Sequence, residues 1–195
     1  MKITTNLEKH NVKNPLSRFF LDNFYCVMLR KAKNLNATTV LDVGCGEGFT
    51  LLRLKNENIG QKLSGIDNNE QAIAYANKNY PELEIKKGDV YKLPYKDNSF
   101  DLVLCMEVLE HLDKPLVALE ELKRVSKKYV LLSVPNEPLF TVQRFLRGKN
   151  MKRLGGHPEH IQRWGTKAFK KLVSEVMEIV DSETPLPWTL VVAKK

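Results

Sequence analysis

No run of apolar residues in this 195-residue chain approaches the roughly 20 that a membrane-spanning helix needs. The opening MKITTNLEKH is polar and lacks the apolar stretch of a secretory leader. Cysteine is scarce. Cys26, Cys45 and Cys105 stand far apart and odd in number, which excludes a disulfide framework and a zinc-ligand spacing. Isolated thiols suit a reducing compartment, so a cytoplasmic setting is expected. There is no internal repeat, no low-complexity tract and no linker composition. What is there is the mix of a globular domain, 43% hydrophobic and 28% charged. Lys and Arg number 31 against 23 Asp and Glu, a formal charge of +8. That excess favours polyanionic partners such as nucleic acid, an anionic membrane surface or a phosphorylated substrate, against the plain reading of a solvated basic surface.

Periodicity divides the chain into alternating elements. Asn14-Pro15 opens a helix that carries Leu16, Phe19, Phe20, Phe24, Val27 and Met28 at helical spacing to about Lys33. Strands are expected at 38–43, 62–67, 84–87, 100–106 and 129–134, with helices at 49–58, 70–79 and from Asp113-Pro115 to about Ser126. Residues 137–165 read as irregular and basic. Thr166 caps a last helix to about Met177, and two short strands follow near 178–181 and 189–193. Alternation from 38 to 134 argues an α/β fold with a doubly wound, mostly parallel sheet. The last two strands are too close for a crossover helix, so they pair as an antiparallel hairpin at the sheet edge.

The stretch Val40-Leu41-Asp42-Val43-Gly44-Cys45-Gly46-Glu47-Gly48 ends the first strand and opens a helix, where open α/β sheets bind ligands. Its spacing is G-x-G-x-G. A dinucleotide fingerprint needs glycine at 49, where Phe49 stands. Glu47 puts negative charge where a pyrophosphate would lie, and a cofactor with a positive sulfonium tolerates that better. Asp67 ends the second strand, 19 residues after Gly48, and suits two ribose hydroxyls. Asp89, in Gly88-Asp89-Val90 after the third strand, suits an adenine amino group, or simply caps its loop.

These motifs resemble the class I S-adenosylmethionine-dependent methyltransferases, in the broad type 11 group typified by ubiquinone and menaquinone biosynthesis enzymes. The resemblance rests on VLDVGCGEG (40–48), GIDNNE (65–70), GDVYKLPYKDNSFDLVLCMEVLEHL (88–112) and LLSVPN (131–136), in that order. It implies a Rossmann-like seven-stranded sheet of order 3-2-1-4-5-7-6 with strand 7 antiparallel, in agreement with the hairpin. It implies S-adenosyl-L-methionine as cofactor and S-adenosyl-L-homocysteine as product. Asp42, Gly44, Cys45 and Gly46 would line the methionine moiety, Asp67 the ribose, and Asn68, Asp89 and Val90 the adenine. Met106 and Glu107 would flank the methyl-transfer point. One domain is expected over 1–195: a helical cover (1–37), a cofactor core (38–136), a substrate lid (137–165) and a closing helix and hairpin (166–195).

Glu107, Glu110 and His111 fall at i, i+3 and i+4, one face if the segment is helical. Two carboxylates and an imidazole can ligate a divalent cation or supply a general base, with a short packed helix as the structural alternative. His157 and His160 follow the fifth strand and can fold over the same end. A narrower resemblance is to small-RNA 3′-terminal 2′-O-methyltransferases, which carry E-x-x-E-H and a later His closely followed by an aromatic residue. It implies a metal held by Glu107, Glu110, His111 and His160. Some quinone O-methyltransferases share the E-x-x-E-H element. Glu107, His111 and His160 are the candidate catalytic residues. Arg144, Arg147, Lys149, Lys152 and Arg153 would steer a phosphate-bearing substrate, a lipid or RNA, or else form a solvated loop.

The leading reading is a methyltransferase acting at O or N of a small-molecule, lipid or quinone-like acceptor. The alternatives are a metal-assisted ribose 2′-O-methyltransferase on RNA and a non-catalytic cofactor-binding partner subunit. Phe49 and the lack of a substrate domain disfavour an NAD-dependent oxidoreductase. A monomer or homodimer is expected.

Overall fold

The computed structural model describes residues 14–146 and 160–195, with the backbone alone at 143–146. Helix α1 (Pro15–Asn34) begins where the Asn14 side chain accepts the Ser17 amide N–H at 3.1 Å. Then come β1 (Thr39–Val43), α2 (Phe49–Asn56), β2 (Lys62–Asp67), α3 (Glu70–Asn79), β3 (Glu84–Lys87) and β4 (Phe100–Met106). A 3₁₀ turn (Leu109–His111) leads to α4 (Pro115–Val125) and β5 (Ser126–Pro135). The chain closes with α5 (Leu139–Leu146), α6 (Thr166–Ser174), β6 (Glu178–Glu183) and β7 (Trp188–Lys194). No described helix is long and apolar enough to cross a membrane.

The strands form one sheet of order β3-β2-β1-β4-β5-β7-β6. Pairing is parallel from β3 to β5, and β7 runs antiparallel to both β5 and β6. This is the expected Rossmann-like order. Both faces are covered, so the central strands are continuous apolar runs rather than alternating ones. One face carries Phe24 and Met28 of α1 and Leu51 and Leu54 of α2. The other carries Leu119 and Leu122 of α4 and Phe169 and Val173 of α6.

Three local expectations are corrected. Leu139–Leu146 is helical, although 137–165 reads as irregular. Its sequence LFTVQRFL has apolar residues at helical spacing, masked by the prolines before it and the basic residues after it. Thr166 does not cap α6: Gly165 holds that position, and the Thr166 hydroxyl instead meets Asn136 Nδ2 at 3.0 Å and Thr189 Oγ1 at 2.9 Å. Asp113 is not the cap of α4, which starts from Lys114 without a side-chain cap. Arg147, Lys149, Lys152, Arg153 and His157 lie outside the described residues, as does the side chain of Arg144.

Helix α1 feeds the amino end of β1 and therefore runs against the parallel strands. Its Phe24 ring lies 4.9 Å from that of Trp188, which pairs with Pro135 at the strands' carboxyl end.

Candidate active site at the carboxyl end of the sheet

The glycine loop leaves β1 by turning back over β2. The amides of Gly44 and Cys45 both donate to the Ile66 carbonyl, at 2.7 and 3.1 Å. Gly44 (φ +76°) and Gly48 (φ +80°) sit in the left-handed region. A Cβ on Gly44 would collide with Val108, and one on Gly48 would lie 2.7 Å from Ile85. The turn thus needs glycine twice, once for the backbone angle and once for close packing.

Asp67 braces this loop. One carboxylate oxygen accepts the Gly46 N–H at 2.7 Å, the other the Asn69 N–H at 2.8 Å. Asn69 in turn caps α3. Each Asp67 oxygen keeps a lone pair for a ligand hydroxyl. Asn68 and Asp89 are exposed beside it, Val90 is half-buried, and the Gly88 N–H donates to the Asp67 carbonyl at 2.9 Å. Asp89 Oδ1 accepts the Tyr91 N–H at 2.9 Å. The structure therefore gathers Asp67, Asn68, Asp89 and Val90 at the adjoining ends of β2 and β3.

Asp42 lies beneath, 1% exposed, and its Oδ1 accepts no hydrogen bond from the described residues. Burial, reinforced by the charge of Asp67, pushes its carboxyl up to about 7. Burial also raises the thiols of Cys45 and Cys105, with Asp42 adding to both, so neither is a ready nucleophile. A buried carboxylate with an orphaned oxygen fits a cationic ligand, and glycines that leave no room for Cβ fit a close backbone approach. The donor set suits a cofactor that carries an ammonium and a ribose.

At the end of β4 the candidate residues divide. Glu107 has φ +60° and turns its carboxylate across β5. Oε1 accepts the Ser133 hydroxyl at 3.1 Å and Oε2 the Trp188 indole N–H at 2.6 Å. Ser133 and Trp188 belong to the α1-covered face, as do Met106 and Tyr25. Burial pushes the Tyr25 phenol up to about 12; Thr50 and Arg53 oppose the shift, and the charges of Asp42 and Glu107 add to it. Asp42 and Glu107 are thus both within electrostatic reach of Tyr25.

Glu110, His111 and His160 gather elsewhere. Their ligand atoms lie within 4.8 Å of one another, and Glu110 is buried. The His111 and His160 rings are 5.0 Å apart, and Phe140 of α5 stacks on His160 at 5.5 Å. The amides of Ile161 and Gln162 donate to the Glu110 carbonyl at 2.9 and 3.0 Å, and Gln162 Nε2 to the Leu112 carbonyl at 3.2 Å. Glu107 is not among these three, so the structure brings together three of the four residues that the narrower resemblance implies. The one-face argument assumed a helix that includes residue 107, but the 3₁₀ turn starts at Leu109 and Glu107 precedes it in a left-handed conformation.

A family described as a methyltransferase domain matches residues 41–133. The matched segment is just under half of the chain and holds the glycine loop and Asp67. Its relatives include a probable S-adenosylmethionine-dependent methyltransferase of Mycolicibacterium smegmatis, 31% identical over 59% of this chain and 45% of that protein. Another is norajmaline N-methyltransferase of Rauvolfia serpentina, 34% identical over 53% of this chain and 36% of that one. The chain thus spans about half or less of the length of these relatives. Magnesium protoporphyrin IX methyltransferase of Synechocystis, solved with bound S-adenosylhomocysteine, shares the fold at TM-score 0.70 and 18% identity, over 99% of this chain and 95% of that one.

Four side chains at the candidate site lie outside the sequence motifs: Tyr25, Thr50, Ser133 and Trp188. Tyr25 sits in an apolar helical stripe where it is indistinguishable from core. Trp188 opens the closing hairpin, far from every motif. The only signal would have been two polar-tipped aromatics facing a strand end rich in carboxylates.

Proposed function

We propose that the protein transfers the methyl group of S-adenosylmethionine to O or N of a small-molecule, lipid or quinone-like acceptor. The observation that carries the methyl donor is the Asp42–glycine loop–Asp67 arrangement, an anionic and glycine-lined cradle at a strand end. When bound, the sulfonium supplies an already activated methyl, so the chain's task is to position and to exclude water. Asp67 would hold the ribose, Asn68, Asp89 and Val90 the adenine edge, and Asp42 with Gly44, Cys45 and Gly46 the methionine part. Exposed large apolar side chains support an apolar acceptor: Leu139 and Val142 on α5, which follows the carboxyl end of β5, Ile161, whose N–H donates to the Glu110 carbonyl after β4, and Leu186 in the turn between β6 and β7. Two of the proteins it resembles are also named for small-molecule acceptors.

Isothermal titration with S-adenosylhomocysteine tests the donor. Asp67→Ala is expected to lose about tenfold or more in affinity, since a bidentate pair of hydrogen bonds to a charged group goes with it. Unchanged affinity in a folded variant sinks the assignment. Tritiated methyl followed from the cofactor into cell extract then separates acceptors. Counts in the organic or soluble fraction support the leading reading.

One observation favours a second reading, a ribose 2′-O-methyltransferase acting on RNA. Glu110, His111 and His160 have the donor chemistry for a divalent cation, and backbone bonds clamp residues 161–162 onto the 3₁₀ turn. A cation there would supply a lowered pKa for a hydroxyl acceptor. On this reading Mn²⁺ or Co²⁺ binds at one site per chain, His160→Ala removes it, and the methyl counts become RNase-sensitive. Full transfer in EDTA ends it.

A further inference from the structure

A polar side-chain atom shut away from water normally has a hydrogen-bond partner, because leaving it unpaired costs free energy. Two that find none among the described residues lie together after β5: Glu137 Oε1 and Thr141 Oγ1. They stand on either side of the start of α5 and are tied to one another. The second carboxyl oxygen, Glu137 Oε2, accepts the Thr141 N–H at 3.2 Å. The backbone around them is fixed. The Glu137 N–H donates to the Trp164 carbonyl at 2.9 Å, the Asn136 N–H to the Pro187 carbonyl at 2.8 Å, and the Phe140 N–H to the Asn136 carbonyl at 2.9 Å. A Cβ on Gly165 would lie 3.0 Å from the Glu137 carbonyl oxygen, so the start of α6 packs closely on this turn. Phe140, between the two residues, stacks on His160 at 5.5 Å.

Helix α5 needs only the oxygen that accepts the Thr141 N–H. The two unpaired atoms do nothing for it. Ligands of open α/β sheets bind outside the carboxyl ends of the strands. The candidate cofactor cradle occupies the ends of β1, β2 and β3, which leaves those of β4, β5 and β7. Glu137 and Thr141 stand there. Their turn leaves β5, is bonded to Pro187 just before β7, and through Phe140 and His160 meets His111 after β4. We propose that Glu137 Oε1 and Thr141 Oγ1 form the polar end of the methyl-acceptor site, and that the acceptor places a hydroxyl or amino group between them. The hydrogen of that group goes to Oε1. The threonine hydroxyl, donor and acceptor at once, completes its bonding. The proposal deepens the acceptor reading above and rests on the methyl-transfer assignment. It selects an amphiphilic acceptor with one polar handle over a wholly apolar one.

The test follows tritiated methyl from S-adenosylmethionine into cell extract for wild type, Glu137→Gln, Thr141→Val and Thr141→Ser. Melting temperature and affinity for S-adenosylhomocysteine are measured on the same preparations. The Glu137→Gln amide oxygen can still accept the Thr141 N–H, but its NH₂ then stands where Oε1 was. A donor on the acceptor would meet a donor, so initial rates in dilute extract should fall about tenfold or more. Thr141→Val should fall about fivefold, the worth of one neutral hydrogen bond, and Thr141→Ser, which keeps the hydroxyl, should restore the rate. The deficit should shrink as the extract is concentrated, because acceptor binding is what weakens. Affinity for S-adenosylhomocysteine should not change, and Thr141→Val should melt no lower than wild type, since it removes an unpaired hydroxyl. A water that merely bridges the two oxygens gives the reverse: Thr141→Val melts lower and transfers at the wild-type rate, which overturns the proposal alone. Rates that fall only in step with S-adenosylhomocysteine affinity overturn it too. Should Glu137→Gln fail to fold, the two Thr141 variants decide. A wild type that binds no S-adenosylhomocysteine, or moves no methyl, overturns the methyl-transfer assignment and this proposal with it.

Discussion

Asp42 holds its proton to about pH 7 because folding strips its water and sets Asp67 nearby. In the unfolded chain the same group titrates near 3.8. Between those values the folded state binds more protons than the unfolded one, so stability falls as pH rises from about 4 to about 7 and the loss is complete above that. The slope is at most about 1.4 kcal/mol per pH unit for one proton. Asp42→Asn abolishes this linkage. Thermal melts of the ligand-free protein should therefore show wild type losing ground to Asp42→Asn across that window, while the variant binds S-adenosylmethionine more weakly. Parallel melting curves at pH 4.5 and pH 7.5 would mean that Asp42 is not the source. Of this much the sequence was a fair guide: a carboxylate two residues before a glycine turn was legible as a site residue. Its orphaned oxygen was not, because that depends on what packs over it, and Tyr25 comes from a helix 17 positions upstream.

At the scale of elements, α1 shows how a cover is attached. Its apolar stripe packs on the sheet, but its position over the site is pinned by ions at its last turns. Lys31 is 5% exposed, with its ammonium 2.6 Å from Asp181 and 3.2 Å from Glu183 on β6. Arg30 reaches the same Glu183 at 2.6 Å. The two carboxylates are about half exposed and can rehydrate, so losing Lys31 should cost about 1–2 kcal/mol rather than the full penalty of a buried orphan. Lys31→Met keeps the aliphatic stem and should cost less than Lys31→Ala. Because Phe24 and Tyr25 ride on α1, both variants should also bind S-adenosylhomocysteine several-fold more weakly; calorimetry alongside denaturant melts reads both effects. A stability loss without any change in affinity would mean that α1 packs independently of this latch. The latch joins residues 150 apart, which is why no local pattern announced it, whereas the Asn14-Pro15 start of α1 could be read directly. Helix α5 marks the opposite case: an eight-residue amphipathic segment was hidden by its prolines and basic neighbours, and Phe140's approach to His160 was hidden with it.

The whole molecule keeps its two packed faces and its site on separate terms. The sheet buries one apolar layer under α1 and α2 and another under α4 and α6, while the carboxylates collect at the strand ends, against a chain whose formal charge is +8. Alternating strands and helices made the parallel sheet and the closing hairpin readable from connection length, while the strand order came only with the family resemblance. The charge contrast between site and chain was not readable, because it depends on which acidic residues converge. Separation of packing from site has a direct consequence. Leu122 is fully buried on the α4 side and belongs to the layer that does not include Asp42, Tyr25, Glu107 or Trp188. Leu122→Ala should destabilise the fold by about 2–5 kcal/mol through lost contacts and a residual cavity. It should leave the affinity for S-adenosylhomocysteine within twofold at a temperature where the variant is folded. Urea unfolding should remain a single transition with an unchanged m-value and a lower midpoint, since the two layers share the same strands and cannot melt apart. A second transition, or a binding loss that tracks the stability loss, would show instead that the far layer sets the geometry of the site.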